Sequence, residues 1–247
     1  MEQDTLIVIP CFNEARRLRV DSFVDLVDTT PSVGFVFVND GSIDDTLAVL
    51  ERVESVRPQA VQVVSLARNR GKAEAVRTGL NAALAGHARY VAYWDADLST
   101  SLAQVDAFRR VLESRPELVA VTGARIRRLG ADIRRDALRH YLGRIFATLA
   151  SLTLGLPVYD TQCGAKMFRA NDLVRSLFAR PFVSHWIFDV EILGRLVAAV
   201  GDPAKAATMI YEYPLLEWRD VAGSKLGAGA MVAALRDLLR IRRLYRP

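Results

Sequence analysis

Cysteine is scarce in this sequence, and long apolar runs are missing. Two cysteines among 247 residues, Cys11 and Cys163, cannot build the disulfide framework of a small secreted domain, and their spacing matches no zinc or redox motif. The longest uncharged stretch, Ile145–Tyr159, has 15 residues, whereas a membrane-spanning helix needs about 20. No basic segment precedes the first apolar run, so no signal peptide is expected. These absences predict a protein of the reducing cytoplasm.

In the first half of the chain, basic side chains are fewer than acidic ones, whereas in the second half they are more numerous. Residues 1–124 carry 13 basic and 17 acidic side chains, whereas residues 125–247 carry 20 and 11. A basic surface attracts polyanions, phosphorylated substrates or an anionic membrane, although a solvated arginine-rich surface is the plain alternative. With 51% apolar and 25% charged residues, the chain is predicted to fold as one globular domain, residues 1–247.

The first half alternates short apolar runs with segments of helix length. Such a pattern predicts βαβ units and an α/β fold with a mostly parallel central sheet flanked by helices. The predicted strands are Leu6–Pro10, Phe35–Asn39, Val61–Leu66, Tyr90–Trp94 and Leu118–Thr122. The predicted helices are Arg16–Asp28, Asp44–Val56, Gly71–Ala85 and Ser101–Ser114.

The second half is less regular. Seven arginines alternate with apolar residues between Arg125 and Arg144, which predicts an amphipathic helix that leads into Ile145–Leu154 and lies on a membrane surface. The same run is typical of a solvated face. The other predicted elements are a strand at Lys166–Arg169, a helix at Phe188–Val200, a strand at Ala206–Tyr213 and a helix at Ala228–Arg243.

Polar side chains follow four of the predicted strands at the points where the strands end. Ligands of open parallel sheets bind at this edge. Each group alone is typical of a turn or a helix cap, but four groups at one edge predict a ligand site. They are Asn13 and Glu14, Asp40 with Gly41 and Ser42, Arg70 with Gly71 and Lys72, and Asp95 with Asp97.

Two common phosphate-binding signatures are missing. The sequence has neither G-x-G-x-x-G nor G-x-x-x-x-G-K-[ST] after its first strand, which ends at Pro10. Instead, Asp95 and Asp97 follow the fourth strand at positions i and i+2, which share a face in an extended segment. Two such carboxylates can bind a divalent cation that keeps phosphate oxygens and waters as its other ligands. A pair of turn acids is the alternative.

These motifs resemble those of family 2 glycosyltransferases with the GT-A fold. The first-half motifs that carry the resemblance are Ile9–Glu14, Val38–Ser42, Asn69–Lys72 and Asp95–Asp97. Within the family, the chain is most similar to the polyprenyl-phosphate (dolichyl-phosphate) β-glucosyltransferase and mannosyltransferase branch. The second-half motifs that carry this similarity are Asp160–Arg169, Trp186–Glu191, Glu217–Arg219 and Gly223–Lys225.

The resemblance implies a nucleotide-sugar donor, a UDP-sugar rather than a GDP-sugar, and Mg²⁺ or Mn²⁺. It implies a nucleotide-sugar half at 1–124 and an acceptor half at 125–247. Lys72 would lie near the nucleotide phosphates, Asp95 would face the ribose or the metal, and Asp97 would bind the metal on the diphosphate. The residues that would hold the nucleoside, with Asp40 toward the base, are Pro10, Asn13, Glu14 and Asp40.

The expected chemistry is displacement at an anomeric carbon. An inverting transferase needs one general base on the acceptor side, or none if the acceptor is a phosphate that is already ionised. The resemblance points to Asp189 as this base, with Asp160 as the second candidate. An acid that stabilises a helix N-terminus is the alternative for Asp189.

The expected acceptor is a polyprenyl phosphate that receives a hexose, glucose by resemblance. Its tail would lie against the amphipathic segment, with peripheral association at the cytoplasmic membrane face. Lys166 and Arg169 are favoured for its phosphate, because they are expected beside the active centre. The basic residues near which the phosphate would bind are Arg125, Arg127, Arg128, Lys166, Arg169 and Lys225. A soluble small-molecule acceptor is the alternative. A nucleotidyltransferase is disfavoured because the glycine-rich loop is missing, and no recognition motif supports a nucleic-acid partner.

Overall fold

A computed structural model describes residues 3–134, 137–219 and 228–245. Seven strands form the main sheet in the order β3-β2-β1-β4-β7-β5-β8, and β6 pairs with β9 in a separate two-stranded sheet. The strands are β1 (Thr5–Cys11), β2 (Val33–Asn39), β3 (Val61–Ser65), β4 (Tyr90–Trp94), β5 (Ala120–Ala124), β6 (Asp132–Arg134), β7 (Ala165–Arg169), β8 (Ile210–Pro214) and β9 (Glu217–Arg219).

Helices pack on both faces of the main sheet. Successive residues of β1 point to opposite faces, so Leu6 and Val8 belong to one hydrophobic cluster and Ile7 and Ile9 to the other. Burial on both faces explains why successive residues of β1, from Leu6 to Ile9, are apolar. The helices are α1 (Val20–Thr29), α2 (Thr46–Val56), α3 (Lys72–Leu84), α4 (Gln104–Ser114), α5 (Ala137–Leu154), α6 (Asp172–Phe178), α7 (Phe188–Val200), α8 (Pro203–Thr208) and α9 (Ala228–Tyr245).

The prediction of a mostly parallel α/β sheet is confirmed. Strands β1 to β4 pair in parallel and β8 is parallel to β5, but β7 runs antiparallel to both β4 and β5. The carboxyl ends of β1, β2 and β4 therefore meet at one edge of the sheet, where the predicted site residues follow them. Strand β7 begins at this edge and leads away from it.

Two predictions for the second half are wrong in detail. The strand predicted from Ala206 begins at Ile210, because Asp202 caps a short helix, α8, by accepting a hydrogen bond from the Ala204 N–H at 2.9 Å. The amphipathic helix predicted from Arg125 begins at Ala137, and the short strand β6 lies before it. Among the described helices, none is long and apolar enough to span a membrane.

Candidate active site

A cleft of about 320 Å³ lies at the carboxyl ends of β1, β2 and β4. It brings together residues separated by more than 80 positions in the sequence. Phe12, which the sequence prediction did not single out, also lines the cleft and is 42% exposed. Six of the seven residues predicted for the donor and the metal line the cleft: Pro10, Glu14, Asp40, Lys72, Asp95 and Asp97.

Asp40 is buried at the end of β2 and holds the loop that leads into α3. Its two carboxylate oxygens accept hydrogen bonds from the backbone N–H groups of Arg70 and Gly71 at 2.7 and 2.9 Å. Burial raises the pKa of Asp40, and these two hydrogen bonds offset part of that effect. Gly71 has a φ of 87°, a left-handed conformation that favours glycine. Asp40 thus fixes the backbone from which Lys72 projects.

Asn13 is the predicted donor residue that does not line the cleft. Its φ is 54°, its side-chain oxygen accepts a hydrogen bond from the Ile43 N–H at 3.0 Å, and its own N–H donates to Ser42 Oγ at 3.1 Å. These bonds join the loop after β1 to the loop after β2. Asn13 is thus not part of the cleft lining, and its hydrogen bonds hold the two loops together.

Glu14 also connects the two loops, and it lines the cleft. Its backbone N–H donates to Thr46 Oγ1 at 2.8 Å, and its carboxylate pairs with Arg17 at 2.6 Å. Burial raises the pKa of Glu14, Arg17 lowers it in part, and the negative charge of Asp97 raises it further. Glu14 and Asp97 therefore concentrate negative charge at this end of the cleft.

Asp95 and Asp97 follow β4 on the floor of the cleft. Lys72 forms an ion pair with Asp95, and the Ser99 N–H donates to the Asp97 carboxylate at 2.9 Å. Desolvation lowers the pKa of Lys72, but the negative charges of Asp95 and Asp189 outweigh it and raise that pKa. An ammonium group and two carboxylates thus lie where a diphosphate and a cation can bind together.

The donor set fits a divalent cation that arrives with a diphosphate. Among the described residues, no group of three or more His, Cys, Asp and Glu side chains could hold a metal by itself. Four carboxylates line the open cleft. Glu14 pairs with Arg17 and Asp40 accepts two backbone hydrogen bonds, which leaves Asp95 and Asp97, the two that follow β4, as the candidate ligands. Mg²⁺ is commonly bound in this way, with one or two carboxylates and with substrate phosphates as its other ligands.

Lys166 does not lie where an acceptor could reach it. It is 1% exposed, and its ammonium group donates to the Thr161 and Cys163 carbonyls at 3.2 and 2.7 Å and to Asp189 Oδ1 at 2.6 Å. Three donors are all that an ammonium group has. The expectation that Lys166 binds the acceptor phosphate is therefore corrected, because its charge is already used inside the protein.

Arg169 lies at the wrong edge of the sheet for an acceptor ligand. Because β7 is antiparallel to β4, Ala165 pairs with Trp94 near the cleft, whereas Arg169 pairs with Tyr90 at the far end of the strand. The Arg169 guanidinium donates to the Leu118 carbonyl at 3.1 Å. The prediction that Arg169 sits beside the active centre is thus wrong. Lys225, the third predicted acceptor ligand, lies outside the described residues.

Both candidate bases are buried and ion-paired. Asp189, in the first turn of α7, is 5% exposed and accepts hydrogen bonds from Lys166 and from the Tyr93 hydroxyl. Asp160 accepts two hydrogen bonds from the Arg125 guanidinium at 2.6 and 2.8 Å. Burial opposes ionisation of Asp160, but the charge of Arg125 outweighs it and holds the Asp160 pKa well below its usual range. Such a carboxylate is a weak base.

Tyr93 donates a hydrogen bond to Asp189, and Arg125 donates to Asp160. Burial, followed by the charge of Asp189, raises the pKa of Tyr93 well above its usual value, so its hydroxyl remains a donor to Asp189. Tyr93 was predicted only as an apolar strand residue, and no local pattern connects it to Asp189, 96 positions along the chain. The sequence prediction placed Arg125 in the arginine-rich helix and near the acceptor phosphate, whereas the structure pairs it with Asp160.

The comparisons with known proteins decide the family. The sequence model of glycosyl transferase family 2 matches residues 6–175. The chain belongs to glycosyl transferase family 2. It is a glycosyltransferase, as the strand-end motifs predicted, and the match covers the complete cleft and β7.

Curated relatives of this family 2 chain extend over nearly its whole length. A dolichyl-phosphate beta-glucosyltransferase of Trichomonas vaginalis is 28% identical over 98% of this chain and 72% of its own length. The proteins of the same name from Saccharomyces cerevisiae and Homo sapiens are each 28% identical over 97% of this chain and cover 74% and 75% of their own lengths. The resemblance to this branch is confirmed.

A solved structure shows the same fold. Glucosyl-3-phosphoglycerate synthase from Mycobacterium tuberculosis, in complex with Mn²⁺, uridine-diphosphate-glucose and phosphoglyceric acid, superposes with a TM-score of 0.71 at 20% identity. The match covers 98% of this chain and 80% of that one. The predicted GT-A fold of this family 2 chain is therefore confirmed.

Proposed function

We propose that this family 2 chain transfers glucose from a UDP-sugar to a polyprenyl phosphate, with inversion at the anomeric carbon and with a divalent metal ion. The curated relatives are named dolichyl-phosphate beta-glucosyltransferases, which supports the sugar and the acceptor class. The solved neighbour holds Mn²⁺ and uridine-diphosphate-glucose, which supports the donor and the cation.

The donor would lie in the cleft with its diphosphate at the end of β4. Asp95 and Asp97 would hold Mg²⁺ or Mn²⁺, which neutralises the charge that develops on the leaving diphosphate. Lys72 lies beside Asp95 and would place its positive charge against the phosphates. Pro10, Glu14 and Asp40, which line the same cleft, would surround the nucleoside.

The observation that carries the acceptor class is the state of the two candidate bases. Asp189 is held by Lys166, and Asp160 is held by Arg125. A neutral hydroxyl must lose its proton when it attacks, so it needs a free base. An ionised phosphate oxygen can form the new bond to the anomeric carbon directly, while the nucleoside diphosphate leaves with the electron pair of the broken bond and no proton moves. The site therefore suits a phosphate acceptor.

A surface that could meet a lipid headgroup lies in the second half. Arg127 and Arg128 line an open depression of about 950 Å³ together with the fully exposed Leu129. Exposed arginines beside an exposed leucine suit an anionic headgroup next to an apolar tail. With Lys166 and Arg169 engaged elsewhere, we propose Arg127 and Arg128 for the acceptor phosphate.

Helix α5 carries an exposed apolar stripe close to this depression in sequence. Tyr141, Ile145, Leu149 and Leu152 are all exposed large apolar residues, and spacings of four, four and three positions bring them onto one side of a helix. An amphipathic face of this kind binds at a membrane interface rather than across it. We therefore propose peripheral membrane association through α5.

The proposed reaction is tested by partitioning. The protein is incubated with UDP-[¹⁴C]glucose and Mn²⁺, with and without a polyprenyl phosphate, and the label in the organic phase is counted. We expect organic-phase label only when the lipid is added, and GDP-sugars are expected to give none. Label that stays wholly aqueous with the lipid present would overturn the lipid acceptor.

A soluble phosphorylated acceptor is the second candidate. The solved neighbour of this fold holds phosphoglyceric acid as well as the donor. The same incubation with phosphoglyceric acid instead of lipid distinguishes the two, because the product then carries the label in the aqueous phase and separates from UDP-glucose on an anion-exchange column.

A further inference from the structure

Gly164 lies directly against the Asp95 carboxylate. A Cβ atom at position 164 would overlap that carboxylate, and the Gly164 carbonyl accepts a hydrogen bond from the Asp95 N–H at 2.9 Å. Gly164 does not belong to the glycines with positive φ among the described residues. Glycine is therefore required here for space and not for backbone conformation.

The Asp95 side chain is enclosed on two sides. Lys72 pairs with it from α3, and the Gly164 backbone lies against it just before β7 begins. A methyl group at position 164 would force the carboxylate to move, because the carboxylate is a movable side-chain end and β7 is held between β4 and β5. The displaced carboxylate would no longer sit where both the cation and Lys72 can reach it.

We propose that Gly164 is a positioning residue that sets the location of the Asp95 carboxylate and, through it, of the donor diphosphate and its cation. This inference rests on the proposed function, since it assumes that Asp95 acts on the donor. Gly164 itself offers no side-chain group to the substrate.

The first test is donor affinity. We expect Gly164→Ala to weaken UDP binding in the presence of Mn²⁺ by about 10–100-fold, the usual cost of changing a residue that orients a metal ligand. Asp95→Ala should weaken it to a similar extent. The Gly164→Ala/Asp95→Ala double variant should bind no more weakly than Asp95→Ala alone, because the carboxylate that Gly164 positions is then missing. Additive losses measured by calorimetry would overturn the inference.

The second test is stability without any ligand. We expect Gly164→Ala to lower the midpoint of thermal unfolding by at least about 2–4 °C when Asp95 is present, and by clearly less when residue 95 is alanine, because the overlap is then relieved. Equal shifts in both backgrounds would overturn the inference. If the wild-type protein binds no UDP, the proposed function fails, and this stability coupling alone decides the role of Gly164.

Gly34→Ala is the matched control for general crowding. A Cβ atom at Gly34 would lie 2.8 Å from the Ala60 carbonyl oxygen, but Gly34 pairs with Leu6 at the edge of the sheet opposite the cleft. We expect this variant to lose stability and to keep the wild-type affinity for UDP. If Gly34→Ala weakens UDP binding as much as Gly164→Ala, the affinity loss reflects general destabilisation and the inference falls.

Discussion

The proposed donor and acceptor sides of the site use the same kinds of charged residue in opposite ways. On the donor side, the paired Lys72 and Asp95 side chains are 43% and 31% exposed. On the acceptor side, the Lys166–Asp189 pair is only 2% and 8% exposed, and the Arg125–Asp160 pair is buried to a similar degree. An accessible pair can exchange its partner for a ligand, whereas a buried pair loses several kcal/mol if one partner is withdrawn. The Lys72 and Asp95 charges are thus available to a ligand, and the charges of the two buried pairs maintain the structure.

Removal of one member of a buried ion pair should destabilise the protein most. Arg125→Ala leaves Asp160 buried without its partner, and we expect the free energy of unfolding to fall by about 3–5 kcal/mol. Urea denaturation measures this. The control is Arg57→Ala, which removes a pair with Asp28 at the surface and should destabilise the fold much less, because water screens an exposed ion pair. Equal losses in the two variants would mean that burial does not distinguish these pairs.

Loss of a carboxylate from the open cleft should lower turnover rather than stability. Asp97→Ala removes a proposed metal ligand from an open cleft, and we expect turnover with UDP-glucose and Mn²⁺ to fall by about 10²–10³-fold, as when a charge-stabilising group is lost. Thermal stability should change little, because the Asp97 side chain is bonded only to the neighbouring Ser99 N–H among the hydrogen bonds described. Unchanged turnover would remove Asp97 from the metal site, and Asp28→Ala serves as the surface-acid control.

A smaller effect is expected from pH, because the buried Arg125–Asp160 pair needs an ionised carboxylate. The pKa of Asp160 is lowered in the folded protein because Arg125 outweighs burial. A lowered pKa means that the pair stabilises the fold above the unfolded carboxyl value of about 3.9, and that this stability is lost as the pH falls below it. We expect the unfolding free energy to drop between pH 4 and pH 2 by more in the wild type than in Asp160→Asn. Parallel pH profiles would contradict this assignment.

The donor side could be predicted from the sequence because parallel strands bring their ends together. Once β1, β2 and β4 are recognised, the residues that follow them must meet at one edge, and Asp40, Lys72, Asp95 and Asp97 do line one cleft. Each prediction there depends on one strand and the few residues after it. Among the predicted donor and metal residues, Asn13 is the exception that does not line the cleft. Its hydrogen-bond partners, Ser42 and Ile43, lie in the other loop and could not be identified from local sequence.

The acceptor side could not be predicted because it depends on the direction of β7 and on ion pairs between residues far apart in the sequence. The apolar pattern of β7 is the same for a parallel and an antiparallel strand, and only the antiparallel pairing places Arg169 at the far edge. A lysine inside an apolar strand gives no local sign of its partner. Asp189, which neutralises Lys166, lies 23 positions further along the chain.

The bonds made by Asn13 have a consequence for changing donor preference. The loop after β1 is tied to the loop after β2 by Asn13 and by the Glu14 N–H, whose partners are Ser42, Ile43 and Thr46. A graft that exchanges only one of these loops with another transferase would leave the remaining loop without its partners. Residues 11–15 and 40–46 therefore form one transplantable unit, and a redesigned nucleoside pocket should carry both segments from the same parent.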